Sequence, residues 1–369
     1  MKTVAFIRGT GIYDDSRSTK EIFALAEAGY KVFVLGWNRE GMALERCQKV
    51  FEPIKDRVQL HFYNKHVENG LGFKNIDKLI GWINWIGSTL KKIEKLNIVH
   101  ACDLDAGIAA YMFCKKNNVA FVYDIFDYYI DTHSVPRFLS DLVEGLEIKV
   151  INFSSATIIC TEERREQISK SNPQRIVVIH NSPEVDNLPC ETEDIDYFYC
   201  GSLGGERLIE EIFDEYENNS NFSMKFGGYG SYSFKAKELM KKYNKFEFLG
   251  IMEYSEVLKY EARAKVLAAI YEPTKRNHQF CAPNKFYESL ALGKPVIVCK
   301  GTGIDKIVEK NNIGCVIDYD VKQFYKALCG LVENPELRAE MGKRARWLYE
   351  EQYSWSAIKN NLLELYASL

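Results

Sequence analysis

The chain has 369 residues, 46% of them hydrophobic, enough for two domains of ordinary size with buried cores. Its formal net charge is −3, so nothing in the overall charge calls for nucleic acid as a partner. Ten cysteines are scattered without a C-x-x-C pair, the usage of small buried apolar residues in a reducing cytoplasm rather than of a disulfide frame or zinc site. The chain turns into a strand at Lys2 to Ile7, so no signal peptide is expected, and no apolar run reaches the ~18 residues of a membrane span.

In chain order, Val4–Ile7 reads as a first strand and Arg8 to Tyr13 as a loop carrying Gly9 and Gly11. Ser18 to Ala28 sets Ile22, Leu25 and Ala26 on one side of a helix that Gly29 stops, and Lys31–Leu35 is a second strand. Such a β-α-β unit opens a parallel sheet. The third glycine of a G-x-G-x-x-G is absent, which argues against a nicotinamide site. Further strands are expected at Val58–Phe62, Ile98–Ala101, Ala120–Asp124, Ala156–Cys160 and Ile176–His180. Two of these run into acidic residues. Strand C-termini in such sheets face the ligand crevice, so Asp103, Asp105, Asp124 and Asp127 are candidates to line a cleft. Leu79 to Lys92 is aromatic and apolar, then basic, as an interfacial membrane helix would be; Gly81, Asn84 and Gly87 favour a partly buried surface helix instead.

Residues 184–196 are the expected linker between a domain of residues 1–183 and one of residues 197–352. Pro183 and Pro189 break structure there, and Glu184, Asp186, Glu191, Glu193, Asp194 and Asp196 are unrelieved by any base. Strands then recur at Tyr197–Cys200, Phe222–Phe226, Phe246–Leu249, Val266–Tyr271, Val296–Cys299 and Cys315–Ile317, with helices between them. Helices are also expected at 335–351 and 356–368, and residues 353–369 end the chain as a C-terminal helix. Two similar β/α halves joined once suggest a cleft between two doubly wound domains.

The stretch Ala282 to Val298 reads as loop, short helix, glycine stop and buried strand. Pro283 suits a first helical position and Gly293 the left-handed residue after the last turn. Phe286 and Leu290 share the packed face, and Lys285 and Glu288 share another. A lysine in a first turn is disfavoured by the helix dipole unless an anion is expected there. A plain surface Lys–Glu pair is the competing reading.

Set in order, Tyr199-Cys200-Gly201-Ser202-Leu203, Phe246 to Met252, Pro283-Asn284-Lys285-Phe286-Tyr287-Glu288, Leu290 to Val296 and Gly301-Thr302-Gly303-Ile304 resemble the donor half of a GT-B glycosyltransferase of the retaining family 4 type, in its P-x-K-x-x-E variant. The resemblance covers about 170 residues of the second half and is loose in the first. It implies an α/β fold of two doubly wound domains facing each other across a cleft, with the C-terminal helix packing back on the first domain. It implies transfer of a hexosyl-type group, with retention, from a nucleoside-diphosphate sugar (UDP or GDP) to a hydroxyl of a saccharide or polyprenyl-linked saccharide acceptor in cell-surface polysaccharide or glycolipid assembly. A cytoplasmic enzyme follows, with peripheral contact at the inner face of the membrane as a further expectation. No cofactor or metal is implied beyond the nucleotide sugar itself.

The resemblance gives Glu288 the ribose hydroxyls, the helix start at Ala282–Lys285 the diphosphate, Arg207 its neutralisation, and Gly201 a close backbone approach to the donor. Ser202, Gly250, Met252, Asn277, Pro283 and Asn284 complete the expected donor-binding set. Gly11, Asp103 and Asp105 are assigned to the acceptor side, and Arg207, Lys285, Asp124 and Asp127 to catalysis. The chain departs from the family pattern at Phe280, where a glutamate is commoner, at Ser202, where an arginine is usual, and at Phe126, where many members have a histidine. Asp103-Leu104-Asp105 and Asp194-Ile195-Asp196 both read D-x-D; helix capping or a cleft role suits the first and solvated charge the second better than a metal does. A nucleotide-sugar epimerase on the same plan and a non-catalytic partner subunit remain as alternatives.

Overall fold

The computed structural model describes residues 1–13, 15–67, 75–133, 135–185 and 192–369. Asp186, Pro189 and Glu191 of the expected linker lie outside the described residues. The chain divides into two units, Met1–His180 with Ile358–Leu369, and Asn181–Ala357.

The first unit alternates β1 (Thr3–Arg8), α1 (Ser16–Glu27), β2 (Lys31–Asn38), α2 (Ala43–Val50), β3 (Val58–Asn64), α3 (Ile76–Leu90), β4 (Leu96–Cys102), α4 (Asp103–Asn117), β5 (Ala120–Asp124), α5 (Tyr129–Thr132), α6 (Arg137–Phe153), β6 (Ala156–Ile159), α7 (Arg164–Gln167) and β7 (Ile176–Val178). Helix α1 starts earlier than its apolar spacing suggests, because Asp15 caps it and accepts from the Ser18 amide at 3.1 Å. The seven strands form one parallel sheet in the order β3-β2-β1-β4-β5-β6-β7. Strand order reverses between β1 and β4, and doubly wound sheets take ligands at the carboxyl ends of the strands at such a point.

The second unit repeats the plan with β8 (Ile195–Ser202), α8 (Ile209–Glu215), β9 (Met224–Tyr229), α9 (Ser233–Lys242), β10 (Phe246–Gly250), α10 (Tyr254–Arg263), β11 (Ala264–Ala269), α11 (Asn284–Ala291), β12 (Val296–Cys299), α12 (Ile304–Asn311), β13 (Gly314–Ile317), α13 (Val321–Val332) and α14 (Pro335–Leu348). Its six strands run β10-β9-β8-β11-β12-β13, so the reversal falls between β8 and β11. A π-helical turn at Tyr349–Tyr353 ends α14 before the expected Glu351. The last helix, α15 (Trp355–Ala367), crosses from the second unit into the first, where Lys359 pairs with Glu27 at 2.6 Å.

Each unit has its own core. In the first, α3 packs Trp82, Ile86 and Leu90 onto the sheet. Trp82 is fully buried and stacks on Trp85 at 5.5 Å, and its Nε1 donates to Asp105 at 2.9 Å. This is the partly buried surface helix that Gly81, Asn84 and Gly87 favour, not an interfacial one: its tryptophans face the protein. Among the described residues no helix is long and apolar enough to cross a membrane.

Two further expectations change. Pro283 is the N-cap of α11 and Asn284 its first residue. The helix stop is as expected: Gly293 has φ +61°, its N–H reaches Leu290 O at 3.1 Å, and the Lys294 N–H reaches Ser289 O at 2.8 Å. The acidic segment before β8 is also relieved by bases far along the chain. Glu193 pairs with Lys294 at 2.7 Å and Arg338 at 3.3 Å, Asp194 with Arg263, and Asp196 with Lys265 at 2.7 Å.

Candidate active site

The second unit gathers several of the expected donor-side residues near its strand reversal. Gly201 and Ser202 end β8, and Tyr271 follows β11 closely, so both sides of the strand reversal are present. The strands can close there because β9 carries glycine: a Cβ on Gly228 (φ +109°) would lie 1.9 Å from Gly201 O. A Cβ on Gly201 would lie 3.1 Å from Lys285 Nζ and 3.3 Å from the Tyr199 hydroxyl, so bare backbone at 201 keeps the approach to Lys285 open.

Lys285 stands in the first turn of α11, with Nζ 5.0 Å from the Tyr199 ring centroid. Arg207 comes from the turn after β8, with its guanidinium 4.9 Å from the Tyr271 ring. Among the described residues neither cation has a carboxylate within ion-pair distance. Burial opposes the charge of Lys285, but Tyr199, Glu288, Tyr271 and Glu261 outweigh it and hold the ammonium above its usual range. Arg207 behaves alike, burial being outweighed by Tyr271 and Tyr199. Burial in turn pushes the Tyr271 hydroxyl up to about 12 against the pull of Arg207. No side chain caps α11 among the described residues. Lys285 and Arg207, without ion-pair partners among the described residues, thus stand with a helix N-terminus near the strand reversal.

Glu288, one turn along, is 3% exposed, which rules out the plain surface pair with Lys285. The Tyr254 hydroxyl donates to its carboxylate. Glu261 of α10, equally buried, is held well above the usual carboxyl range by burial and then by Glu288, with Lys285 opposing. Glu261 and Glu288 share a side-chain hydrogen bond.

The other donor-side candidates fall around this centre. Gly250 ends β10 with φ +69° and open space beside it. Met252 packs with its sulfur 2.7 Å from where a Cβ on Gly227 would be. Asn277 lies in the 3-10 turn Arg276–Phe280. Phe280 is buried, whereas Ser202 and Asn284 are exposed. His278 is turned onto Glu272 O at 3.0 Å and onto Tyr271 at 5.2 Å between rings.

The first unit has a pocket of about 170 Å³ at its own strand reversal, lined among others by Arg8, Arg39, Asp103, Asp105, Tyr129 and His133. Asp103 does not cap α4 but begins it, with φ +63°. It binds Arg8 through Oδ2, and its Oδ1 accepts the amides of Phe126 at 3.0 Å and Asp127 at 3.1 Å. Burial pushes its carboxyl up to about 6 against Arg8. Gly9 lets Asp105 approach, since a Cβ there would lie 2.5 Å from Oδ2. Gly11 lies one turn away, under the Tyr13 ring.

Asp124 is fully buried, bound to Arg17 and 3.4 Å from His100 Nε2, so its carboxylate faces a closed network rather than an open surface. Asp127 is half exposed, 3.6 Å from Arg164. Phe126 is clamped between the Arg8 and Arg17 guanidiniums at 3.8 and 4.3 Å, which gives this side chain a packing role. Among the described residues His100, Cys102 and Asp124 bring possible metal-ligand atoms within 4.8 Å. Arg17 already supplies the positive charge there, and burial pushes the Cys102 thiol well up, so this set fits a metal poorly.

Tyr199, Tyr254 and Glu261 were missed by sequence reasoning. Tyr199 had a signal, because two positions along a strand share a face and it stands two before Gly201.

Residues 187–347 match the family model described as Glycosyl transferases group 1. Among curated proteins, spore coat protein SA of Bacillus subtilis (strain 168) is 30% identical over 97 residues, which are 26% of this chain and 24% of that protein. The matched stretch thus spans about a quarter of that relative's length. Among solved structures, a sucrose-phosphate synthase from Thermosynechococcus elongatus superposes with TM-score 0.73 at 14% identity over 100% of this chain and 99% of its own. Anabaena HepE in complex with UDP gives 0.68 at 13%, covering 100% of both chains. A UDP-N-acetylglucosamine 2-epimerase from Listeria monocytogenes, itself described as putative, also gives 0.68 at 13%, over 100% of this chain and 96% of its own. The chain has the GT-B fold, and its residues 187–347 match the group 1 glycosyl transferases.

Proposed function

We propose that this protein is a retaining glycosyltransferase that moves a sugar from a nucleoside-diphosphate sugar, UDP- or GDP-linked, to a hydroxyl of a saccharide or lipid-linked saccharide. One observation carries the reading: Lys285 and Arg207 stand without a carboxylate partner among the described residues, over Tyr199 and Tyr271, at the strand reversal of the second unit. The group 1 match over 187–347 covers the same residues. The UDP held by the Anabaena neighbour agrees in ligand class.

In this reading the bond between the anomeric carbon and the diphosphate oxygen breaks, and its electron pair leaves with the diphosphate. Lys285, Arg207 and the N-terminus of α11 balance the charge that develops. The acceptor hydroxyl attacks on the face of departure and gives its proton to the leaving phosphate. Catalysis is then positioning and electrostatics, without a protein nucleophile or a metal. Glu288, fixed by Tyr254 and Glu261, accepts from the ribose hydroxyls. The enzyme works in the cytoplasm or at the inner face of the membrane, in cell-surface polysaccharide or glycolipid assembly.

The test is a screen of nucleotide sugars for acceptor-dependent release of free UDP or GDP. Release with one donor is expected. Interconversion of the sugar without a lasting nucleotide product would favour an epimerase. Tight nucleotide binding without turnover on any donor or acceptor would favour a non-catalytic subunit.

A further inference from the structure

We propose that the pocket at the strand reversal of the first unit binds a phosphate-type oxyanion carried by the acceptor, with Arg39 as its anchor. Calling the ligand the acceptor rests on the glycosyltransferase reading; the oxyanion site does not.

The charges that line the pocket do not all pair off. Arg8 is spent on Asp15, at 3.0 Å, and on Asp103. Asp103 is spent in turn on Arg8 and on two backbone amides, and Asp105 Oδ2 takes the Trp82 indole N–H. Arg39 is left over. Its guanidinium lies 4.6 Å from the centre of the Trp37 ring. Among the described residues it forms no ion pair, and its Nε is buried without a hydrogen-bond partner. Burial and then Arg8 work against its charge, with only Asp105 in its favour.

With Nε buried, the terminal nitrogens of Arg39 are the donors left for a ligand. Its donors form a fixed fork that matches an oxyanion with two parallel hydrogen bonds. A neutral sugar hydroxyl would satisfy one donor and leave the charge uncompensated. A phosphate satisfies the fork and keeps further oxygens for other groups of the lining, which include His133, stacked on Tyr129 at 4.0 Å. The pocket is therefore built for a charged acceptor group, and the backbone at Gly9 and Thr10 bounds it on the strand side.

The probe is inorganic pyrophosphate, titrated into the full chain held in saturating UDP so that the second unit's cations are occupied. Tryptophan emission reads the event, because Trp37 carries Arg39. Saturable binding is expected, weakened at least tenfold by Arg39→Gln and less by Arg39→Lys, which keeps the charge and loses the fork. Unchanged far-UV circular dichroism and unfolding temperature establish that both variants fold. Vesicles containing phosphatidic acid form a second arm. Co-sedimentation lost in Arg39→Gln assigns the oxyanion to a lipid; binding of pyrophosphate alone assigns it to a soluble acceptor. Equal pyrophosphate affinity in wild type and Arg39→Gln overturns the proposal. Failure of the donor reading shows separately, as an absence of UDP binding, and leaves the Arg39 comparison intact.

Discussion

In the first unit the cations at the strand ends are mostly consumed by neighbouring carboxylates. Arg8 binds Asp15 and Asp103; Arg17 binds Glu21 and Asp124, with His100 between those two carboxylates at 3.6 and 3.4 Å. In the second unit Lys285 and Arg207 occupy the equivalent edge and meet tyrosine rings instead. The second sheet repeats the order of the first six strands of the first, and only β7 is extra, so topology at the reversal does not make the difference. Paired buried charges hold a fold and lose their partners only at high cost. Cations left over neutral rings are available to a ligand. The two strand reversals thus differ in how their cations are balanced, and Arg39 is the exception in the first unit.

The sharpest way to break the comparison is Arg17→Met, which strands Glu21 and Asp124 as buried carboxylates. A loss of about 3–5 kcal/mol in stability is expected from urea unfolding of the full chain. A loss under about 1 kcal/mol would show that the network does not hold the first unit. Lys285→Ala should do the reverse. Transfer should fall by roughly 10²–10³, about 2.7–4 kcal/mol in the barrier, with little change in unfolding. A destabilised but fully active Lys285→Ala would merge the two classes of charge.

Glu147 sharpens the comparison through pH. Burial pushes its carboxyl from 4.5 up to about 8, although it accepts the Tyr123 hydroxyl at 2.9 Å and the Tyr129 amide at 3.1 Å. The folded chain then binds this proton more tightly than the unfolded one, so its contribution to stability is lost as pH rises from about 4.5 through 8. Asp103, pushed from 3.8 to about 6, adds to the decline at lower pH. His180, lowered to about 4 by burial, acts in the opposite direction between about 4 and 6.5. Unfolding followed from pH 5 to 9 should show Glu147→Gln losing less stability than wild type, by on the order of 1–2 kcal/mol at the alkaline end. Parallel profiles would contradict the assignment. The smallest effect is expected from Tyr366→Phe, which removes the 2.6 Å hydrogen bond from α15 to His100 and should cost about 1 kcal/mol in the same measurement.

The strands were readable because buried parallel strands are short apolar runs between turn residues, and every expected run lies in a strand or overlaps one. Gly201, Arg207, Lys285 and Glu288 stand out in the sequence because their order along the chain carries the resemblance. What stayed hidden depends on partners remote in sequence. Glu288 looked like half of a surface pair, yet Tyr254 and Glu261, a helix and a strand earlier, bury it. How completely Trp82 is covered is not legible from α3 alone, because the residues that cover it are remote in sequence. Asp124 carried the appearance of a cleft residue, but its environment is set by Arg17, which lies 107 positions before it.

The most direct test of the donor site is equilibrium binding of UDP and GDP to the wild type and to Glu288→Ala, with both proteins shown to be folded by their thermal transitions. Binding of at least one nucleotide by the wild type is predicted, weakened tenfold or more by the substitution, about 1.4 kcal/mol. Equal affinity in a folded Glu288→Ala would contradict the placement of the donor in the second unit.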